Sequence, residues 1–523
     1  MTSVPFKPKQ FILGALAILV VIYVGFALLS SFGEQQISSR LELYQTDLLL
    51  HVTEVPAENE FGFNSDTRKA VLGEEPVKTA LEEYQELRKS AATNLSRLSD
   101  RLNQTLAESN PSTQTDAGVE TLKTTLSQQQ ELITQLDLRI GLLQTQTAAI
   151  PAALQTWSEI ANSASPSTLS ETARVLTGLW SEPPRLLPDA EAQLQKNLDG
   201  WFRYVALRRL YQLQQRSDVL TELQTAEQAV AQQTLFKLVL GNTLPLVGSL
   251  IGAILLIFLV VQRILQGKQA LLEQNADVPW ETRWGWETIL QVLVVGFFFF
   301  GQFIVPFLVK LGVSVLPQLL RTFGESSLLT ESRLQAFSAL TYYLLMAGIA
   351  LLILYVSVKP FFPLPAYWFR FQGQGNWFLW GFGGYLVALP LMILVSLVNQ
   401  QIWQGQGGSN PLLKIILEEA DPLSLGIFFF TAAIAAPLFE ETLFRGFLLP
   451  SLTRYVPVSG AIAISSVIFA IAHLSLSEVI PLALLGAVLG IVYTRSRSLL
   501  SPMLLHSLWN SGTMIGLLIL GSG

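Results

Sequence analysis

Eight apolar segments follow one another through the second part of this chain: 236 to 262, 288 to 313, 335 to 358, 376 to 401, 423 to 450, 459 to 475, 479 to 494 and 499 to 520. A ninth, residues 11 to 31, lies near the start behind Lys7 and Lys9. A helix of about 20 apolar residues crosses the ~30 Å hydrocarbon core of a bilayer. Inside that core every backbone group needs a partner, which a helix supplies from within its own segment. The expected fold is therefore all-α, a polytopic membrane helical bundle with about nine transmembrane helices. The pair of segments between 459 and 494 is short enough to re-enter the membrane instead of crossing it. Composition agrees: of 523 residues half are hydrophobic and only 14% are charged, against roughly 25% in soluble proteins.

Other function classes drop out early. A formal net charge of −6 gives no reason to expect a nucleic-acid partner. Cysteine is absent, which removes disulfide frameworks, thiolate zinc sites and cysteine nucleophiles.

No small-x-small cleavage site follows residues 11 to 31, so residues 1 to 32 are read as an uncleaved signal anchor. Residues 33 to 233 are polar, rich in Gln, Ser, Thr and Glu, and helical in period. Val77, Leu81, Tyr84, Ala91, Leu95, Leu98 and Leu102 make one stripe; Leu122, Leu126, Ile133, Leu136, Ile140 and Leu143 make another. With "SNPST" at 109 to 113 as the turn, they predict an antiparallel helical hairpin. A third pattern runs through Leu194, Leu198, Trp201, Val205, Leu213, Leu220 and Leu223 after a break at "SEPPRLLP", and is expected to continue as one long helix into the next span. Residues 234 to 287 follow as a second membrane helix and a cytoplasmic linker, and 288 to 523 as the membrane core.

Placing the N-terminus inside puts Arg263, Lys268, Arg283, Lys359, Arg370, Arg454, Arg495 and Arg497 in the cytoplasm. Only Arg321, Arg333 and Lys414 then remain in short outer loops, the bias expected of cytoplasmic loops. Residues 33 to 233 become an inserted extracytoplasmic helical domain, a candidate surface for a protein partner. The expected setting is a prokaryotic cytoplasmic membrane, or another internal membrane such as the thylakoid.

Charge inside such segments is costly unless paired or used. Adjacent glutamates at 418 and 419 share "ILEEADPLS" with Asp421 and are read as a solvated loop or membrane-surface helix. Glu440 and Glu441, in "IAAPLFEETLFRGFLLP", have apolar residues on both sides. On a helix Glu441 faces Arg445 four residues on, while Glu440 points about 100° away, without a local partner. A carboxylate in that position suits a general base acting on water. Three further polar residues sit in two apolar segments: His473 in "VIFAIAHLSLSE", and His506 with Asn510 on one helix face in "SPMLLHSLWNSG".

"EETLFR", "FAIAH" and "HSLWN" resemble, in order, the Glu-Glu-x-x-x-Arg, Phe-x-x-x-His and His-x-x-x-Asn motifs of the CPBP family, the CAAX-protease and bacteriocin-processing (Abi-like) intramembrane endopeptidases. The resemblance covers about residues 376 to 520, loosely the spans from 288, and leaves 33 to 233 aside. It implies an intramembrane protease core over 288 to 523. In it Glu440 activates the hydrolytic water with help from His473, His506 and Asn510 stabilise the oxyanion, and Glu441 and Arg445 support them. The implied partners are the bilayer and a membrane-anchored or lipid-modified protein substrate. No cofactor is expected. The alternative is zinc on His473 and His506 with Glu440, but the three residues come from separate segments and lack the His-Glu-x-x-His spacing. From the residues alone two other functions stay open. One is a non-proteolytic scaffold or chaperone that binds a partner through the helical domain, the other a transporter with Glu440 as an ion site.

Overall fold

The computed structural model describes residues 8–32, 37–55, 73–108, 116–162, 168–322, 330–371, 373, 375–403, 407–408 and 421–521. Among these residues there is no strand. The helices are α1 (Pro8–Ser31), α2 (Ile37–Val52), α3 (Pro76–Glu108), α4 (Asp116–Gln146), α5 (Ile150–Ala161), α6 (Thr168–Trp180), α7 (Ala190–Asn197), α8 (Gly200–Leu213) and α9 (Ser217–Gln266). Next, α10 runs through Trp286–Leu290, a wide π-helical stretch Gln291–Ile304, and Val305–Thr322. Then come α11 (Glu331–Val358), α12 (Trp377–Trp403), α13 (Pro422–Leu452), α14 (Val458–Ile471), α15 (Val479–Ser496) and α16 (Leu500–Gly521). The chain divides into two compact units, Ser39–Leu240 and the combination of Met1–Ser38 with Gly241–Ser522.

In the polar unit α3 packs against α4 along the two predicted stripes. Tyr84 and Ala91 on one, and Ile133, Leu136, Ile140 and Leu143 on the other, are buried. Arg88 joins them by donating to Asp137 at 3.0 Å. The "SNPST" turn lies outside the described residues, as do Glu418 and Glu419. The core gathers around Trp157, whose indole N–H reaches the Leu138 carbonyl at 3.2 Å. The long helical pattern from Leu194 onward is divided among three helices, α7, α8 and α9, and α9 runs on through the next apolar segment as expected. Gly200 and Gln215 take left-handed backbone angles, φ +49° and +56°, which an uninterrupted helix does not contain. Period alone missed these breaks because the apolar spacing continues across them.

Among the described residues seven helices are long and apolar enough to cross a bilayer. They correspond to the apolar segments beginning at 11, 236, 288, 335, 376, 423 and 479. The other two expected spans are helices of a different kind. α14 has 14 residues, too short for the hydrocarbon core, and the apolar run of α16 is interrupted by His506, Asn510 and neighbouring serines and glycines. α14 packs tightly on α15, α12 lies against α15 and α16, and α10 lies against α11 and α1. Phe297, Phe439, Phe444, Phe447 and Phe469 fill the middle. At one end the stretch after α9 folds back onto the ends of α13 and α15. There the Trp284 indole donates to Ser451 Oγ at 2.9 Å, and the Arg497 guanidinium lies 3.7 Å over the Trp280 ring. At the start of α13, Asp421 caps the helix through the Ser424 amide at 3.0 Å. The same carboxylate receives Arg333 of α11 in a two-pronged pair at 2.9 and 3.1 Å.

Candidate active site

The site is built on a broken stretch of α13. Thr431–Ala435 and Thr442–Leu448 are π-helical and flank a short α segment, Ala436–Glu441. Such wide turns recur at functional sites because they change which side chains share a face. Between them Glu441 is fully buried, and its Oε1 accepts from Arg445 Nη1 and His506 Nδ1, each at 2.8 Å. The second guanidinium nitrogen of Arg445 donates to the Gly486 carbonyl at 3.1 Å. Its face covers the Phe469 ring at 4.4 Å. Gly486 is required by close approach: a Cβ there would lie 3.0 Å from Ser466 and 3.3 Å from Arg445 Nη2.

The expected pairing of Glu441 with Arg445 is therefore in place, and His506 joins it across 65 residues of sequence. An ionised carboxylate only accepts, so the hydrogen between them belongs to His506 Nδ1. The other imidazole nitrogen, Nε2, faces Glu440 Oε2 at 3.9 Å. Glu440 Oε1 accepts from the Tyr343 hydroxyl of α11 at 2.9 Å. Its Oε2 has no hydrogen-bond partner among the described residues and is buried.

The remaining predicted residues have other partners. His473, just beyond α14, directs Nδ1 to the Phe469 carbonyl at 2.9 Å and packs its ring edge-on against Phe469 at 5.0 Å. The Phe469 ring also meets His506 edge-on at 5.9 Å, so it contacts both imidazoles. Among the described residues His473 forms no hydrogen bond or ion pair with Glu440. Asn510 sits one turn beyond His506 on α16 and gives Nδ2 to the Ala432 carbonyl at 2.7 Å, while the Ser507 hydroxyl bonds the Ala433 carbonyl. These two bonds pin α16 to the first π-helical turn of α13, where carbonyls have lost their ordinary i→i+4 partners.

Among the described residues no group of three His, Asp or Glu side chains is arranged to hold a metal. In both His473 and His506 the engaged nitrogen is Nδ1, to the Phe469 carbonyl and to Glu441, so Nε2 is the nitrogen that either would offer to a metal. No step below passes through a metal.

Tyr343 escaped the sequence reading. Its signal was a phenol in the apolar run "LTYYLLMAG", where the hydroxyl needs a partner. Tyrosines are also common at membrane interfaces, which hides such a residue in sequence.

Residues 422–512 match the family model described as Type II CAAX prenyl endopeptidase Rce1-like. The chain is 29% identical over 142 residues to the membrane-embedded CAAX protease MroQ of Staphylococcus aureus (strain USA300), covering 26% of this chain and 56% of that protein. It is 26% identical over 137 residues to the putative membrane peptidase YdiL of Bacillus subtilis (strain 168), covering 26% of this chain and 55% of that one. The chain thus spans about half the length of the curated relatives it matches. No solved structure matches it. The matched stretch runs from the start of α13 through Asn510, so one segment contains both glutamates, both histidines and the helices that hold them. The chain is an integral membrane protein whose residues 422–512 are similar to the Rce1-like CAAX prenyl endopeptidase family.

Proposed function

We propose that this protein is an intramembrane endopeptidase that hydrolyses a peptide bond of a membrane-anchored or lipid-modified protein, with Glu440 as the base for water. One observation carries the reading. Glu440 Oε2, buried and without a hydrogen-bond partner, faces the Nε2 of His506, whose far side is held by Glu441. A separation of 3.9 Å is too long for a direct hydrogen bond and leaves room for a water beside both atoms.

The proton balance follows from the tautomer. Water adds to the scissile carbonyl while its proton passes to Glu440 Oε2, and the carbonyl oxygen takes up negative charge. With Nδ1–H committed to Glu441, Nε2 can donate to that oxygen only when His506 is the imidazolium, which the Glu441 carboxylate stabilises. Collapse of the adduct breaks the C–N bond, and Glu440 returns its proton to the leaving amine. Asn510 has two amide hydrogens; one serves the Ala432 carbonyl and the second is its donor toward the oxyanion. His473 contributes through Nε2, the nitrogen not engaged by Phe469.

The protein is placed in a prokaryotic cytoplasmic membrane or a related internal membrane, with its N-terminus inside and residues 33 to 233 outside. The test is comparative proteomics of membranes containing wild-type or Glu440→Gln protein. A peptidase leaves uncleaved precursors in the variant. If the variant matches wild type in its membrane proteome and still supports its cellular role, the scaffold reading replaces this one.

A further inference from the structure

We infer that Tyr343 is a positioning residue for the reaction, selecting which oxygen of Glu440 meets the water; the inference rests on the peptidase reading above. A glutamate side chain has freely rotating χ angles and two equivalent oxygens, so a base at the end of one needs an external constraint to present a fixed lone pair. Tyr343 supplies it. Its hydroxyl donates to Oε1 at 2.9 Å, leaving Oε2 as the oxygen turned to His506 Nε2.

The phenol is itself held in place. Its ring packs edge-on against Phe439, the residue before the glutamate pair, with centroids 6.0 Å apart. The helix bearing it, α11, is joined to α13 by the Arg333 and Asp421 pair and packs along its first turns. The two glutamates are thereby divided between two restraints. Arg445 and His506 hold Glu441 Oε1 from α13 and α16, and Tyr343 holds Glu440 Oε1 from α11. No other hydroxyl among the described residues donates to either carboxylate.

Tyr343→Phe removes the hydroxyl and keeps the ring against Phe439. In the purified full-length protein, assayed on a precursor identified by the Glu440→Gln comparison, kcat is expected to fall about 10- to 100-fold. KM and the thermal unfolding midpoint should stay at wild-type values. In a Glu440→Asp background, whose shortened carboxylate no longer reaches the phenol, the same substitution should cost little more. Wild-type kcat in Tyr343→Phe overturns the inference, as does a rise in KM alone. So does an equal proportional loss in both backgrounds, because a residue that acts by stabilising the fold would multiply any remaining activity by the same factor. An inactive Glu440→Gln beside a fully active Tyr343→Phe would sink this inference and leave the peptidase reading standing; an active Glu440→Gln would sink that reading itself.

Discussion

Glu441→Gln tests whether the buried ion pair is a brace, a catalytic support, or both. The side chains of Arg445 and Glu441 are 1% and 0% exposed, and their 2.8 Å contact has no access to bulk water. Glutamine is nearly isosteric, so Nη1 and His506 Nδ1 keep an acceptor while the negative charge disappears. Arg445 is then left with the Gly486 carbonyl and the Phe469 ring. Removing one partner of a buried pair typically costs about 3–5 kcal/mol, because the other charge stays buried without compensation. The unfolding midpoint of detergent-solubilised Glu441→Gln should fall accordingly. Replacing both charges, as in Glu441→Gln with Arg445→Met, should recover most of that stability, since an apolar or neutral substitute for a buried pair is often neutral or better. Cleavage should not recover. Without the carboxylate behind it, His506 is no longer held with its hydrogen on Nδ1, and hydrolases with a comparable histidine–carboxylate pair lose on the order of 10⁴ in rate when the carboxylate becomes an amide and the wrong tautomer results. A double variant that regains stability and remains inactive separates the two roles. If Glu441→Gln alone unfolds like wild type, the pair is not a brace. If the double variant regains activity as well, Glu441 has no part in setting His506.

Gly486→Ala should lower both stability and cleavage, measured by thermal unfolding and precursor turnover, because its Cβ would crowd Ser466 and Arg445 Nη2; helix propensity alone predicts the opposite sign, a gain of about 1 kcal/mol. Arg333 and the Ser424 amide hold the Asp421 carboxyl well below the usual carboxylate range. Its contribution is therefore complete above its ordinary value near about pH 4 and is lost as pH falls through the lowered one. Between about pH 5 and pH 2 the wild-type unfolding midpoint should drop further than that of Asp421→Asn, and parallel curves would refute the assignment. Incubation with a strong zinc chelator should leave cleavage unchanged, and inhibition that added zinc reverses would refute base catalysis by Glu440 without a metal.

Much of this site was legible because charge is so expensive in apolar sequence that few arrangements explain it. Glu441 and Arg445, four residues apart with the acid first, announced their own pairing. His506 was readable as a member of the site but not as the partner of Glu441, since a contact spanning 65 residues has no local signature. The roles implied by motif pair Glu440 with His473; in the structure His506 Nε2 lies 3.9 Å from Glu440 Oε2, and His473 packs on the Phe469 ring that His506 also meets. The cause is the fold of the Phe-x-x-x-His segment. Its phenylalanine is fully buried under Arg445, and that fixes where the histidine four residues later comes to rest. α14 and α16 fall outside the seven long apolar helices for a related reason. Hydropathy measures how well a segment tolerates lipid, but a helix that packs against other helices or lines a polar cluster can be short or interrupted.

The two π-helical turns explain why adjacent glutamates can take unlike tasks. In a regular helix a stripe of period 3.6 keeps one face throughout, and a catalytic group would share its face with whatever apolar residues recur there. Each i→i+5 turn holds an extra residue and so resets the phase of everything beyond it. Pro437, four residues after Ala433 and five after Ala432, has no N–H to give either carbonyl, and they accept instead from Ser507 and Asn510, which brings α16 and its histidine alongside. Thr442–Leu448 carries Arg445 back beneath Glu441 while burying Phe444 and Phe447 in the aromatic core. Glu440 and Glu441, on the α segment between, are then served from opposite sides, one by Tyr343 of α11 and the other by Arg445 and His506. His506 touches both, through Nδ1 on Glu441 and Nε2 toward Glu440, but the guanidinium of Arg445 bonds Glu441 alone and the phenol of Tyr343 bonds Glu440 alone. The widened helix lets two consecutive residues take those unlike tasks.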